Sequence, residues 1–182
     1  MSYAVNELSD EHLIGQAVQG SKACFEQIVH RHSNNLLRFV RSNVAVTQDA
    51  EDIVQDVFLI VYTKMEQFNC ERSFKAWLYT IAYNCRTSHL RKKKVRQRPL
   101  EIVEQPQKSP FEIVARRHNV ASVWAMASTL SASQSSALWL RYKEQMDVPQ
   151  IAEVMQKSRI HVRVLLHRGR TRLAELMSEP VE

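Results

Sequence analysis

The stretch Asp49-Ala50-Glu51-Asp52-Ile53-Val54-Gln55-Asp56-Val57-Phe58-Leu59-Ile60-Val61 decides the fold. Wound as a helix, it places Ile53, Val54, Val57, Ile60 and Val61 on one side. Asp52, Gln55, Asp56 and Leu59 fall on the other, at steps of three, four and seven. The apolar side needs a surface to pack on, so the segment is one helix of a bundle. The polar side is unusual. Asp52 and Asp56 are like charges one turn apart, which costs about 0.2–0.5 kcal/mol in an isolated helix, and Leu59 stands among them with no core to enter. Two readings are open at this point: a solvated acidic face with a stray leucine, or a docking face for a basic partner helix.

Outward from this segment the pattern stays helical, with apolar residues returning every three or four positions from Asp10 to about Arg98. It predicts roughly four helices. The first covers Asp10 to Val18 with Ser9 as N-cap, and the second covers Ser21 to Val44 with Phe25, Ile28, Val29, Leu36, Phe39 and Val40 as its stripe. After a break near Val46 to Gln48, the third runs from Asp49 to about Phe68 with acids at its positive end. The fourth follows Asn69-Cys70-Glu71-Arg72-Ser73 and runs toward Lys94. Pro99, Pro106 and Pro110 then fall in a polar stretch without apolar periodicity, the composition of a flexible connector. A second helical block runs from Phe111 to the end. The expected architecture is all-α: a first domain over 1–98, a linker over 99–110 and a second domain over 111–182.

The fourth helix has three faces. Phe74, Trp77, Leu78, Ile81 and Cys85 form its core side; Thr80, Asn84, Thr87 and Arg91 a second; Tyr79, Tyr83 and Arg86 a third. Amides and arginine beside aromatic rings are what base-edge hydrogen bonding and stacking on a splayed strand require. The basic tail Arg91-Lys92-Lys93-Lys94, with Arg96 and Arg98, suits phosphates. In the second block, Ser131 or Ser133 caps a helix through Tyr142, and Asp147 or Val148 opens another at Pro149. Gln156-Lys157-Ser158 forms a short turn. The last helix points Val162, Leu166, Leu173 and Leu176 inward, with Gly169 where helices approach closely, and shows Arg159, His161, Arg163, Val164, His167, Arg168 and Thr171 outward. Two helices on a short turn, the second basic outside, make a helix-turn-helix for a major groove.

The net charge of +6 over 182 residues fits a polyanionic partner. No apolar run reaches the roughly 18 residues that a membrane span needs, so no membrane insertion is expected. Glu7, Asp10 and Glu11 stand where a signal peptide would be basic then apolar, which points to the cytoplasm. Cys24, Cys70 and Cys85 share no ligand spacing, and no metal or cofactor is expected. Enzyme function has no positive support: there is no glycine-rich phosphate loop, no HExxH and no nucleophile constellation. A helical phosphohydrolase using His30, His32, Asp49, Glu51, Asp52 and Asp56 fails on geometry, since His30 and His32 face different ways.

Residues 49–58 resemble region 2.2 of the bacterial RNA polymerase sigma factors. Leu13-Ile14-Gly15-Gln16-Ala17 and Gly20-Ser21-Lys22-Ala23-Cys24-Phe25-Glu26 resemble the opening of region 2.1 in the extracytoplasmic-function subgroup, and residues 74–84 resemble regions 2.3 and 2.4. Ile151-Ala152-Glu153-Val154-Met155 and Leu166-His167-Arg168-Gly169-Arg170 resemble region 4. The resemblance implies an alternative sigma factor that carries polymerase core to promoter DNA, with an anti-sigma factor as its usual controller. It implies core binding at Asp49, Asp52, Gln55, Asp56 and Leu59. Minus-ten contacts would come from Thr80, Asn84, Arg86, Thr87, Arg91, Lys92, Lys93 and Lys94, with the 67–73 loop capturing a flipped base. Minus-thirty-five contacts would come from Arg159, His161, Arg163, His167 and Arg168. The second block departs from the family at Gln156, where glycine is usual, and at Ile160, His161, Val164 and Leu165. Ile160 and Val164 could meet thymine methyls or a sequestering protein. The rival reading is a stand-alone helix-turn-helix regulator, for which the acidic stripe has no use.

Overall fold

The computed structural model describes residues 8–96, 124, 126 and 129–178, and all its regular structure is helical. The expected linker 99–110, Phe111 and the side chains of Lys94 and Arg96 lie outside the described residues.

Helix α1 (Asp10–Val18) starts at Ser9, whose hydroxyl accepts from the His12 amide at 3.2 Å, and buries Leu13, Ile14 and Ala17. Helix α2 (Lys22–Arg41) buries Cys24, Ile28, His32, Leu36, Phe39 and Val40. It ends before Val44 although Val44 is also buried. The apolar rhythm outlasts the helix because the chain turns over the core there. Helix α3 (Thr47–Lys64) packs Ala50, Ile53, Val54, Val57, Phe58 and Val61 inward and tightens into a single 3-10 turn at Met65–Gln67. Phe58 is thus a core residue beyond the expected stripe, because α3 is packed on more than one side. Helix α4 (Phe74–Arg96) lies against both α2 and α3.

Three long-range contacts hold α1 in the bundle. Asp10 accepts from Arg31 Nη1 at 2.7 Å and stands 2.7 Å from His32 Nε2, while Glu11 accepts from the Phe74 amide at 3.0 Å. Glu11 therefore caps the open N-terminus of α4 from 63 residues away, satisfying a donor that the helix cannot satisfy itself. His32, a candidate metal ligand by type, is engaged in this brace.

In the second block, α5 (Ala132–Tyr142) begins at Ser131 and α6 (Val148–Met155) at Asp147, each with a reciprocal capping box closed by Gln134 and Gln150. Helix α7 (Arg159–Ser178) buries Val162, Leu165, Leu166 and Gly169. A β-carbon at Gly169 would meet Leu138 Cδ1 at 3.0 Å, so the glycine is what lets α7 approach α5. Helix α6 also packs on α4, and α5 reaches it through Ser136, which accepts from Arg86, so the two blocks share one interior.

Burial on its own would raise the Asp10 pKa, but the His32 and Arg31 contacts outweigh it and hold the carboxyl below its usual value. A depressed carboxylate stabilises the fold above its unfolded pKa, about 3.9, and that contribution is lost as pH falls through the lower folded value. Asp10→Asn is expected to cost about 1–2 kcal/mol near neutral pH. Urea unfolding across a pH series should show the gap between variant and parent closing below about pH 4; a gap constant down to strong acid would contradict the assignment.

Candidate nucleic-acid interface

The two sides of α3 separate as its sequence demands. Asp52, Gln55, Asp56 and Leu59 are all exposed, Leu59 to 62%, and Asp52 accepts from Gln48, one turn away, at 3.2 Å. Asp49 stands apart from this stripe. Its carboxylate lies 3.2 Å from His89 Nε2 and 3.6 Å from Lys93 Nζ, so it braces α3 against the basic end of α4. Burial first, and the nearby Asp56 charge second, push the Cys85 thiol up, which keeps it protonated and unreactive between these helices.

Along α4 the structure divides the expected reading residues. Asn84, Thr87, Arg91 and Lys92 are exposed, Lys93 is half-exposed and tied to Asp49, and Thr80 is half-buried with its hydroxyl donating to the Ala76 carbonyl at 2.8 Å. Arg86 is different: it is 1% exposed. Trp77, expected in the core, is half-buried and stacks beside Phe68 at 4.9 Å between centroids, at the loop that precedes α4. Between that loop and α6 lies a cleft of about 810 Å³ lined by Phe68, Asn69, Arg72, Trp77, Thr80 and Glu153, among others.

The third face of α4 is covered by the second block. Tyr79 is fully buried, and burial first, then the neighbouring Glu144 carboxylate, push its hydroxyl far up. Arg86 stacks its guanidinium 4.5 Å over Phe39 and 5.3 Å from the Tyr83 ring, and donates to Ser136 Oγ at 2.6 Å. Burial, partly opposed by Tyr83, pulls the Arg86 guanidinium down to about 10, so it is still charged at neutral pH. Glu144, equally hidden, accepts from Trp139 Nε1 at 3.3 Å and pairs with Lys75 Nζ at 2.9 Å. Sequence reasoning passed over Glu144 and Lys75, because their partners are 69 positions apart and no local pattern marks them.

The helix-turn-helix forms as the sequence predicts. Gln156 ends α6 in the left-handed region, φ 52°, and α7 follows two residues later. Arg159, His161, Arg163, Val164, His167, Arg168 and Thr171 are all exposed, Ile160 is 72% exposed, and Leu165 turns inward to the core. Leu165 is therefore a packing residue, and its departure from the family pattern has no bearing on the outer face. Among the described residues no histidine, cysteine and carboxylate group could hold a metal, and no helix is long and apolar enough to cross a membrane.

Residues 28–96 match the sigma-70 region 2 family and residues 121–173 the sigma-70 region 4 family. The chain is 29% identical to the RNA polymerase sigma factor CnrH of Cupriavidus metallidurans, covering 97% of this chain and 98% of that one. It is 30% identical to the RNA polymerase sigma-E factor of Streptomyces coelicolor, covering 83% and 84%. In fold it is similar to CnrH solved with the cytosolic domain of CnrY, with a TM-score of 0.66, 24% identity and coverage of 92% and 96%. It is also similar to RpoE of Bartonella quintana solved with the anti-sigma factor NepR, with a TM-score of 0.67, 23% identity and coverage of 86% and 98%.

A side chain at a left-handed position crowds its own backbone, and glycine there does not. Gln156→Gly is expected to stabilise the second block by up to about 1 kcal/mol and to raise the melting temperature. A fall in melting temperature would show that the Gln156 side chain makes a contribution larger than the strain.

Proposed function

This chain belongs to the RNA polymerase sigma factors, in their extracytoplasmic-function subgroup, and from that membership we propose how its surfaces divide the work of taking polymerase core to specific promoters. The α3 stripe of Asp52, Gln55, Asp56 and Leu59 docks on a basic helix of the core, with Asp49 holding α4 in register beside it. The observation that carries this reading is the stripe itself. Two carboxylates one turn apart and a leucine 62% exposed are unfavourable in water and gain from a partner with cations around an apolar contact.

The exposed face of α4 then reads the minus-ten strand. Asn84 supplies a base-edge amide, Thr87 sits beside it, and Arg91 and Lys92 hold phosphates. The loop before α4, with Phe68 and Trp77 at its base, has the aromatic surface on which a flipped base stacks. Helix α7 enters the minus-thirty-five major groove with Arg159, His161, Arg163, His167 and Arg168. In this reading residues 1–98 form the docking and melting unit, 99–110 the linker and 111–182 the duplex reader. The chain works in the cytoplasm, performs no catalysis of its own and is controlled by an anti-sigma factor.

Asp52→Arg with Asp56→Arg reverses the stripe without touching the core, so the fold should persist and capture of polymerase core should be abolished; undiminished capture would refute the docking face. Asn84→Ala should leave core capture intact and weaken open-complex formation at cognate promoters by about 1–3 kcal/mol. Equal open-complex formation by parent and variant would remove Asn84 from the reading face.

A further inference from the structure

The loop that precedes α4 is shaped by its own bonds but placed by its ends. Asn69, Cys70, Glu71 and Arg72 are exposed, and the turn they form is closed locally: Asn69 Oδ1 accepts from the Glu71 amide and the Asn69 carbonyl from the Arg72 amide, each at 2.9 Å. Arg72 also meets Glu153 of the second block at 3.3 Å, an exposed pair of little strength. The downstream end is Phe74, fully buried, whose amide donates to Glu11 Oε1 at 3.0 Å. The upstream end is the 3-10 turn, on which α1 also packs.

Helix α1 therefore serves the loop at more than one point. Glu11 and Gly15 stand one turn apart on one side of it, and a β-carbon at Gly15 would lie 3.9 Å from Cys70 Sγ. Leu13, Ile14 and Ala17 are buried in the bundle, and Asp10 ties the helix start to Arg31 and His32, so the side that meets the loop belongs to a firmly held element. We propose that Glu11 is a positioning residue for base capture: from α1, outside the segment 28–96 that matches region 2, it sets where the 67–73 loop stands against the Phe68–Trp77 surface. The inference rests on the reading of that loop as the place where a flipped base is held.

The path from Glu11 to the stacking surface is short. The Phe74 ring meets Phe68 edge-on at 5.6 Å and Trp77 at 5.9 Å, and Phe68 and Trp77 lie 4.9 Å apart. A shift of the Phe74 backbone thus moves the rings on which a base would stack. Ser73 Oγ already accepts from the Ala76 amide at 3.3 Å, so the helix start has a cap of its own. What Glu11 adds is a tie from a different element to the residue where loop becomes helix. With Glu11 gone, a buried residue's amide loses its acceptor, and it regains one by moving the loop end.

The test measures base preference one position at a time. Holoenzyme assembled from core and the full chain is bound to single-stranded oligonucleotides carrying the non-template minus-ten sequence of a cognate promoter, each randomised at a single position. Phe68→Ala, which removes part of the stacking surface, identifies the captured position as the one whose preference it abolishes. The parent should prefer one base there by about tenfold, the scale of a single base's contribution to a specific complex. Glu11→Ala should bring that position near parity and leave the preferences at the other positions unchanged. Glu11→Gln, which keeps an oxygen acceptor for the Phe74 amide, should hold the parent profile. An unchanged profile in Glu11→Ala would overturn the proposal and leave the loop standing as the capture site. Equal weakening at every position would overturn it too, since that is the mark of a cap that only stabilises. If Phe68→Ala abolishes no preference, the reading of the loop fails and the inference falls with it. Should far-UV dichroism show that Glu11→Ala does not fold, Gly15→Leu decides by the same criterion, because a leucine there extends beyond the β-carbon toward Cys70 with the Phe74 cap in place.

Discussion

The arrangement of this chain depends on one buried contact, the Glu144 carboxylate of the second block against Lys75 and Trp139, with Tyr79 beside it. A carboxylate this hidden is tolerated only where a cation and a hydrogen-bond donor replace the water it has lost. Lys75 comes from α4 and Trp139 from α5, so the charge can be buried only when the two blocks meet. Phe39, Tyr79, Arg86 and Trp139 then fill the same layer, with Phe39 packed on Tyr79 at 5.2 Å and on Trp139 at 6.4 Å.

Electrostatics assigns different signs to different surfaces with little overlap. Acid is concentrated on the exposed side of α3, and base on the exposed end of α4 and the outer side of α7. Asp49 of α3 pairs with His89 and Lys93 at the basic end of α4, which ties the two helices together. The helix-turn-helix carries the same logic at its turn. Gln156 accepts a left-handed backbone so that α7 can leave α6 with its arginines outward, and Gly169 lets that helix lie close on Leu138.

Local chemistry made much of this legible in the sequence. Ser9, Ser131 and Asp147 cap helices because their side chains reach the first free amides, and periodicity alone separates the exposed Asp52, Gln55, Asp56 and Leu59 from the buried Ile53, Val54 and Val57. The reading faltered where burial is decided by distant chain. Helix α2 was expected to reach Val44, because a buried residue after a helix end keeps the helical rhythm. Arg86 and Tyr79 read as a surface face of α4, since nothing within the helix reveals that α5 covers them. Leu165, named in the sequence only as a departure from the family pattern, is buried, because α7 packs a wider stripe than Val162, Leu166, Leu173 and Leu176 alone. Glu144 left no signal at all, as an isolated glutamate is ordinarily solvated.

The central claim is that this chain gives bacterial polymerase core its choice of start sites, and the direct measurement is of transcript ends. Core polymerase incubated with fragmented genomic DNA from the same source, with and without the full chain, should produce a discrete set of 5′ ends only when the chain is present. Those starts should share sequence elements near minus ten and minus thirty-five. A chain that binds core yet leaves the pattern of 5′ ends unchanged would contradict the account.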